Sequence, residues 1–145
     1  MKDLREAFAE FWGGFYDRRQ DLPCPSPIPA FMRGYAVFRG PEGKITKNPV
    51  FPYITYELAR PSFGEFTVCT AQIWDRNTDN PGFTGLVDDV LAQIAEKLPE
   101  EGVLLEAENG FVKLSRANPF MDYMNDPDIK VVRGVVRYGL RGFLY

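Results

Sequence analysis

Leu4, Ala7, Phe8, Phe11, Trp12 and Phe15 recur at helical spacing, with Asp3 placed to cap and Glu6 three residues further on, as in a capping box. The spacing predicts an amphipathic helix over 3–16, weakened near its end by Gly13 and Gly14. Its apolar stripe is largely aromatic, which suits core packing first and a subunit contact second. Prolines at 23, 25, 27 and 29 then remove backbone donors at alternate positions, so 22–29 reads as an extended, polyproline-like connector. Tyr35 to Arg39 and Lys44 to Thr46 flank the turn Gly40-Pro41-Glu42-Gly43 and predict a small hairpin. After Pro52, Tyr53 to Leu58 alternates, with Ile54, Tyr56 and Leu58 on one face; Pro61-Ser62-Phe63-Gly64 offers a turn into a run from Glu65 to Asp75. In that run Phe66, Val68, Thr70, Gln72 and Trp74 share one face and Thr67, Cys69, Ala71 and Ile73 the other, which predicts a central strand at least partly covered on both sides.

Val87, Val90, Leu91, Ile94, Ala95 and Leu98 mark a helix from Gly85 to Leu98, with Thr84 as candidate N-cap and Pro99 as its stop. Asp88 and Asp89 suit the positive end of the helix dipole and read as a solvated first turn rather than as metal ligands. Val103 to Glu108 and Phe111 to Ala117 flank Asn109-Gly110, a tight-hairpin signature. Residues 118–128 read as a loop, and 129–145 as a long strand in which Gly134, Gly139 and Gly142 permit bulges or close approach. The expected fold is α+β, a mainly antiparallel β-sheet packed by two helices in a single domain over 1–145, with the sheet and the central helix formed by 30–145.

Composition narrows the chemistry. The chain has 145 residues, 17 Lys and Arg against 20 Asp and Glu, and a formal net charge of −3, so no overall positive field draws it to nucleic acid or anionic lipid. It contains no histidine, which removes the commonest general base, the commonest metal ligand and every His-dependent triad. GxGxxG after a strand, GxxxxGK[ST], HExxH and GxSxG are all missing. Glu106 and Glu108 would share a strand face and read as surface charge. Cys24 and Cys69 form no CxxC pair; Cys69 reads as a buried apolar thiol and Cys24 as an exposed one. The N-terminal segment is acidic and amphipathic rather than signal-like, and no run approaches the ~18 consecutive apolar residues of a membrane helix. The expectation is a non-enzyme without metal or cofactor, of cytosolic origin and without a membrane partner.

Two patterns stand apart. Arg133, Arg137 and Arg141 have one parity on the last strand and would form a cationic row with steps of about 13 Å. Such a row suits a passage for a polyanion, an acidic neighbouring subunit, or carboxylates within the same chain. Between Asn118 and Asp128, Phe120, Met121, Tyr123 and Met124 make the segment too apolar for a solvated connector. It either folds onto the core or docks on another chain, and Met and aromatic side chains suit the latter.

Pro52-Tyr53-Ile54-Thr55-Tyr56-Glu57-Leu58, Gln72-Ile73-Trp74-Asp75, the helix from Gly85, Asn118-Pro119-Phe120 and the closing Val131 to Tyr138 follow a layout that resembles the tail terminator, or tail completion, proteins of long-tailed bacteriophages and prophages. The likeness runs from about Ala7 to Tyr145. It implies a virion structural subunit, assembled in the bacterial host cytoplasm as a ring homo-oligomer, usually hexameric, on the head-proximal end of the tail tube. Its implied partners are further copies of itself, the tail tube protein and a head-completion or connector protein, with DNA passing through the channel without sequence recognition. It implies no catalytic, cofactor or metal residues. The candidate interface or channel residues are Arg133, Arg137, Arg141, Phe120, Met121, Tyr123 and Met124. Another phage neck or head-tail completion role, or a stand-alone ligand- or protein-binding domain, is the alternative.

Overall fold

The computed structural model describes residues 3–19, 24–59, 64–108 and 110–144. In chain order the elements are α1 (Leu4–Trp12), β1 (Tyr16–Asp17), β2 (Ser26–Pro27), β3 (Ala30–Met32), β4 (Phe38–Arg39), β5 (Ile45–Thr46), β6 (Tyr53–Tyr56), β7 (Phe66–Arg76), α2 (Gly85–Lys97), β8 (Val103–Ala107), β9 (Gly110–Met124) and β10 (Val131–Leu144). Six strands form one sheet in the order β3-β6-β7-β10-β9-β8, antiparallel throughout except for the parallel β3–β6 pair. This is the α+β arrangement expected from the pattern, with β7 internal to the sheet.

α1 starts as the capping box predicts, with the Asp3 side chain accepting the Glu6 N–H at 2.8 Å. It stops at Trp12 instead of reaching 16, because Gly13 takes the cap and donates to the Ala9 carbonyl at 2.8 Å. Phe15 is nonetheless fully buried. The proline-rich connector is stitched into the fold along its described part, since β2 pairs antiparallel with β1. Prolines at alternate positions leave every remaining donor on one side of an extended chain, and there the Ile28 N–H reaches the Phe15 carbonyl at 3.0 Å. On the other side the Pro29 carbonyl accepts the Ile54 N–H at 2.9 Å. Leu22 and Pro23, the turn residues Pro61 to Phe63, Asn109 and Tyr145 lie outside the described residues.

Both helices cover one face of the sheet. α2 packs on β7 and β10, and α1 touches both edge strands, β3 and β8, so the sheet curls around it. The buried side chains make one cluster. Trp12 is its centre, fully buried against the rings of Tyr56 at 5.9 Å, Tyr138 at 5.3 Å and Phe15 at 6.0 Å. Thr84 occupies the cap position of α2, but its hydroxyl donates to Asp88 Oδ2 at 2.7 Å and caps no backbone N–H. The other end of α2 is closed by Arg116 of β9, whose guanidinium donates to the carbonyls of Leu98 at 2.8 Å and Ala95 at 3.1 Å.

One expectation is corrected and two are refined. Residues 118–124 are not a loop but the continuation of β9, which resumes pairing with β10 after an excursion. Val136 pairs with Met121 and Tyr138 with Arg116, so Ala117 to Phe120 together stand opposite Arg137 alone. Pro119, which has no N–H to give a ladder, sits in this excursion. Of the two roles expected of the glycines of β10, bulge or close approach, the structure shows the second at Gly134 and Gly139. At Gly134 a Cβ would lie 2.6 Å from Val87 of α2, and at Gly139 one would lie 2.1 Å from the Phe66 ring, so both serve close approach. Finally, β7 is partly covered on both sides as expected, but unevenly. Cys69, Ala71 and Ile73 are buried under the helices, whereas Phe66 and Val68 on the opposite face are exposed.

Candidate functional site

The face of the sheet turned away from the helices carries the expected arginine row. β10 pairs with β7 without interruption from Val131↔Arg76 to Arg141↔Phe66, so Arg133, Arg137 and Arg141 share this outer face with Trp74, Thr70 and Phe66. One end of the face is roofed. Phe38 of the β4–β5 hairpin meets Tyr53 edge-on at 4.8 Å, and Tyr53 stacks on Trp74 at 5.5 Å with planes 8° apart. Among the described residues the other end has no such cover.

The three arginines have different surroundings. Arg133 is mostly enclosed, with its side chain 16% exposed; it lies 4.0 Å over the Trp74 ring, donates to Gln72 Oε1 at 2.6 Å and pairs with Asp126 at 3.4 Å. It ties β7, β10 and the 125–130 connection together, which is the within-chain pairing considered for the row. Arg137 reaches the Pro119 carbonyl of the β9 excursion at 3.4 Å, and among the described residues no carboxylate pairs with it. Arg141 is exposed, donates to the Gly64 carbonyl at 3.0 Å, and sits 5.6 Å from the Phe66 ring.

The second expected group also divides. Phe120 and Met121 pack against the core, Phe120 under the Arg116 guanidinium at 4.5 Å. Tyr123 and Met124 are exposed. Tyr123 is directed toward α2, where its hydroxyl donates to Asp88, and that bond to a carboxylate raises the phenol above its ordinary range. Asp89, beside it in sequence, is held below the usual aspartate range by Arg18, which forks onto it at 2.5 and 3.1 Å. The first turn of α2 is therefore an interaction point rather than a merely solvated one.

Sequence reasoning missed the apolar half of the uncovered end. Val68 is 56% and Leu104 61% exposed, and Phe66 and Phe111 are exposed beside them. The registers Leu104↔Lys113, Lys113↔Arg141 and Arg141↔Phe66 set Leu104, Lys113, Arg141 and Phe66 in one row across four strands, with Val68 and Phe111 in the rows on either side. Phe111 stacks on Phe143 at 4.9 Å along the next row. The available signal was parity: Phe66 and Val68 alternate with the buried Thr67–Ile73 face, and Gly139 leaves the space that the Phe66 ring occupies.

Cys69 is buried and its thiol pushed upward by burial, away from nucleophilic reactivity; Tyr138, whose hydroxyl donates to the Glu57 carbonyl, is likewise raised by burial. Among the described residues no three His, Cys, Asp or Glu side chains converge as metal ligands, and no helix is long and apolar enough to cross a membrane. A concavity of about 530 Å³ between α1 and β8 is open and is lined by Phe11, Lys97, Val103 and Leu105 with Glu10 and Glu106. No protein-family model, curated protein or solved structure matches the chain.

Proposed function

We propose that the chain is a structural subunit of the tail of a long-tailed bacteriophage or prophage, assembling as a six-membered ring on the head-proximal end of the tail tube. There it ends tube growth and offers the joining surface to a head-completion or connector protein. The observation that carries the reading is the outer face, where exposed apolar side chains lie together with cations that have no carboxylate partner among the described residues. Among the segments whose layout resembles the tail terminator family, β6, the end of β7 and β10 belong to that sheet, and α2 packs on its opposite face.

Capping needs no covalent step. A ring whose one side repeats the tube's contact, and whose other side does not, accepts a tube and refuses a further tube ring. A subunit of this length has a radius of gyration of about 15 Å, and six in contact leave a central hole on the order of 30–40 Å before loops narrow it, enough for duplex DNA. A net-acidic subunit then suits a conduit that must not retain the DNA it passes.

Sedimentation velocity and electron microscopy of the full chain test the ring, and polymerising tail tube protein tests the cap. The expected results are a six-fold ring and tubes that stop growing once it is added. A chain that stays monomeric at high concentration overturns the first; tubes that lengthen unchanged overturn the second. One observation favours a ligand-binding reading instead, an apolar concavity of about 410 Å³ lined by Ile28, Phe31, Phe38 and Phe51 beneath the β4–β5 hairpin. A monomer that binds small apolar molecules there would support it.

A further inference from the structure

The six-stranded sheet ends in β3 on one side and in β8 on the other, and the two edges differ. The β3 edge is blunted: Pro29 precedes it, and the Met32 carbonyl accepts the Tyr35 N–H at 2.9 Å. The β8 edge is open. Its hairpin to β9 closes on the pair Ala107↔Gly110 across a two-residue loop, and such a loop closes on a hydrogen-bonded pair. Pairs of that kind recur at Leu105↔Val112 and Val103↔Leu114, so the N–H and C=O groups of Leu104 and Glu106 point away from β9. Among the described residues no other backbone group bonds to them. The concavity of about 530 Å³ between α1 and β8 follows this edge, because residues of both parities line it. Val103 and Leu105 pack toward the core, and Leu104 and Glu106 face outward; Ala7 and Phe11 form the apolar wall from α1.

We propose that the β8 edge binds an extended segment of another protein, apolar at alternate positions with Lys or Arg between them, which joins the sheet as a strand beside β8. The backbone chemistry selects a polypeptide. Only a chain in β conformation repeats the donors and acceptors that Leu104 and Glu106 present, and its alternate side chains then turn toward Phe11 and Leu105. β8 is five residues long, or about 17 Å, which sets the length of segment it can pair. Charge selects the side chains between. Glu10 and Glu106 line the concavity, and Glu101 and Glu108 are exposed next to the two ends of β8. Two cations are near: Lys97 donates to the Gly14 carbonyl at 3.1 Å and lies over the Phe15 ring, and Lys113 faces outward beside Leu104. The acids outnumber them, so a basic segment is favoured over an acidic one. This contact does not depend on the six-fold ring and is open to a monomer as well.

The test uses the full-length chain and a seven-residue peptide of alternating valine and lysine, blocked at both ends, with fluorescence anisotropy for affinity and amide hydrogen exchange for position. Saturable binding is expected, with exchange at Leu104 and Glu106 slowed about tenfold and the β3 amides unchanged. Leu104→Pro removes one outward donor and no ladder bond, and should weaken binding about tenfold. Methylating the peptide nitrogens of one parity and then of the other tests the pairing without altering the protein, and only one of the two forms should lose binding. A glutamate-for-lysine peptide should bind more weakly, and Glu106→Lys should narrow that difference. No binding at millimolar peptide, full binding by both methylated forms, or equal binding of the lysine and glutamate peptides overturns the proposal. Exchange at Leu104 and Glu106 that slows with protein concentration alone assigns the edge to a second copy of the chain and overturns it as well.

Discussion

The two faces of β10 are built from the same fourteen residues and do opposite things. On the helix side, Val132, Val136, Tyr138 and Leu140 are buried, and Gly134 lets Val87 of α2 come close enough to exclude any larger side chain. On the outer side, Arg133, Arg137 and Arg141 alternate with Val135 and Gly139, and here the glycine makes room for a half-exposed phenylalanine. Both glycines permit close approach, yet one contact is a core contact and the other a surface contact. What separates them is whether the neighbour can move aside: Val87 is held in a packed helix, whereas the Phe66 ring has solvent beside it.

The largest way to break the comparison is through the core. Trp12→Ala should cost about 3–5 kcal/mol in denaturant unfolding, since it removes the ring that Tyr56, Tyr138 and Phe15 enclose. Gly134→Ala should cost about 1–3 kcal/mol by overpacking α2. The same change at Gly139 should leave the unfolding midpoint nearly in place while turning Phe66 off the surface and weakening self-association. A Gly139→Ala loss as large as that at Gly134 would erase the distinction.

Arg133→Met against Arg141→Met probes the row itself. The first leaves Gln72 and the enclosed Asp126 without their partner and should cost about 1–3 kcal/mol of stability. The second should leave stability unchanged and act only on assembly. Asp75 gives the smallest and most specific effect. Its carboxyl is buried on the helix side, and burial raises it above the ordinary aspartate value against the opposing pull of Arg19. The folded chain therefore holds this proton more tightly than the unfolded one. The stability so contributed is complete below the ordinary aspartate range and is lost as pH rises through the raised value. Asp75→Asn should thus match the wild type in acid and exceed it at neutral pH; a difference that does not change with pH would sink this account.

Much of this was legible in the chain. Asp3 and Glu6 marked the start of α1, the apolar spacing of Val87 to Ile94 marked α2, and residue parity put the three arginines on one face of β10 before any coordinates. Local chemistry sufficed there, because caps and periodicities act over a few residues. The passage through Asn118 and Pro119 misled, since two prolines and many acids near residues 118–128 argue against a strand. A partner strand that runs on through Arg137 while β9 makes its excursion reclaims it, and only the pairing of β9 with β10 reveals that partner. The candidate surface was half visible for the same reason. Arg141 was singled out, but Phe66 and Val68 read only as part of a partly covered strand face, and Leu104 only as one position of a hairpin strand.

The sequence by itself determined the elements, the alternation of each strand and therefore that the sheet would have two distinct faces. It could not decide which face the helices would cover, because both faces of β7 and β10 carry apolar residues. That choice was made in the folded chain, where Gly134 admits α2 on one side and the bulky Arg133–Trp74 stack and the β4–β5 hairpin occupy one end of the other. Burial is a property of what packs across a surface, and a strand's own residues do not contain that information.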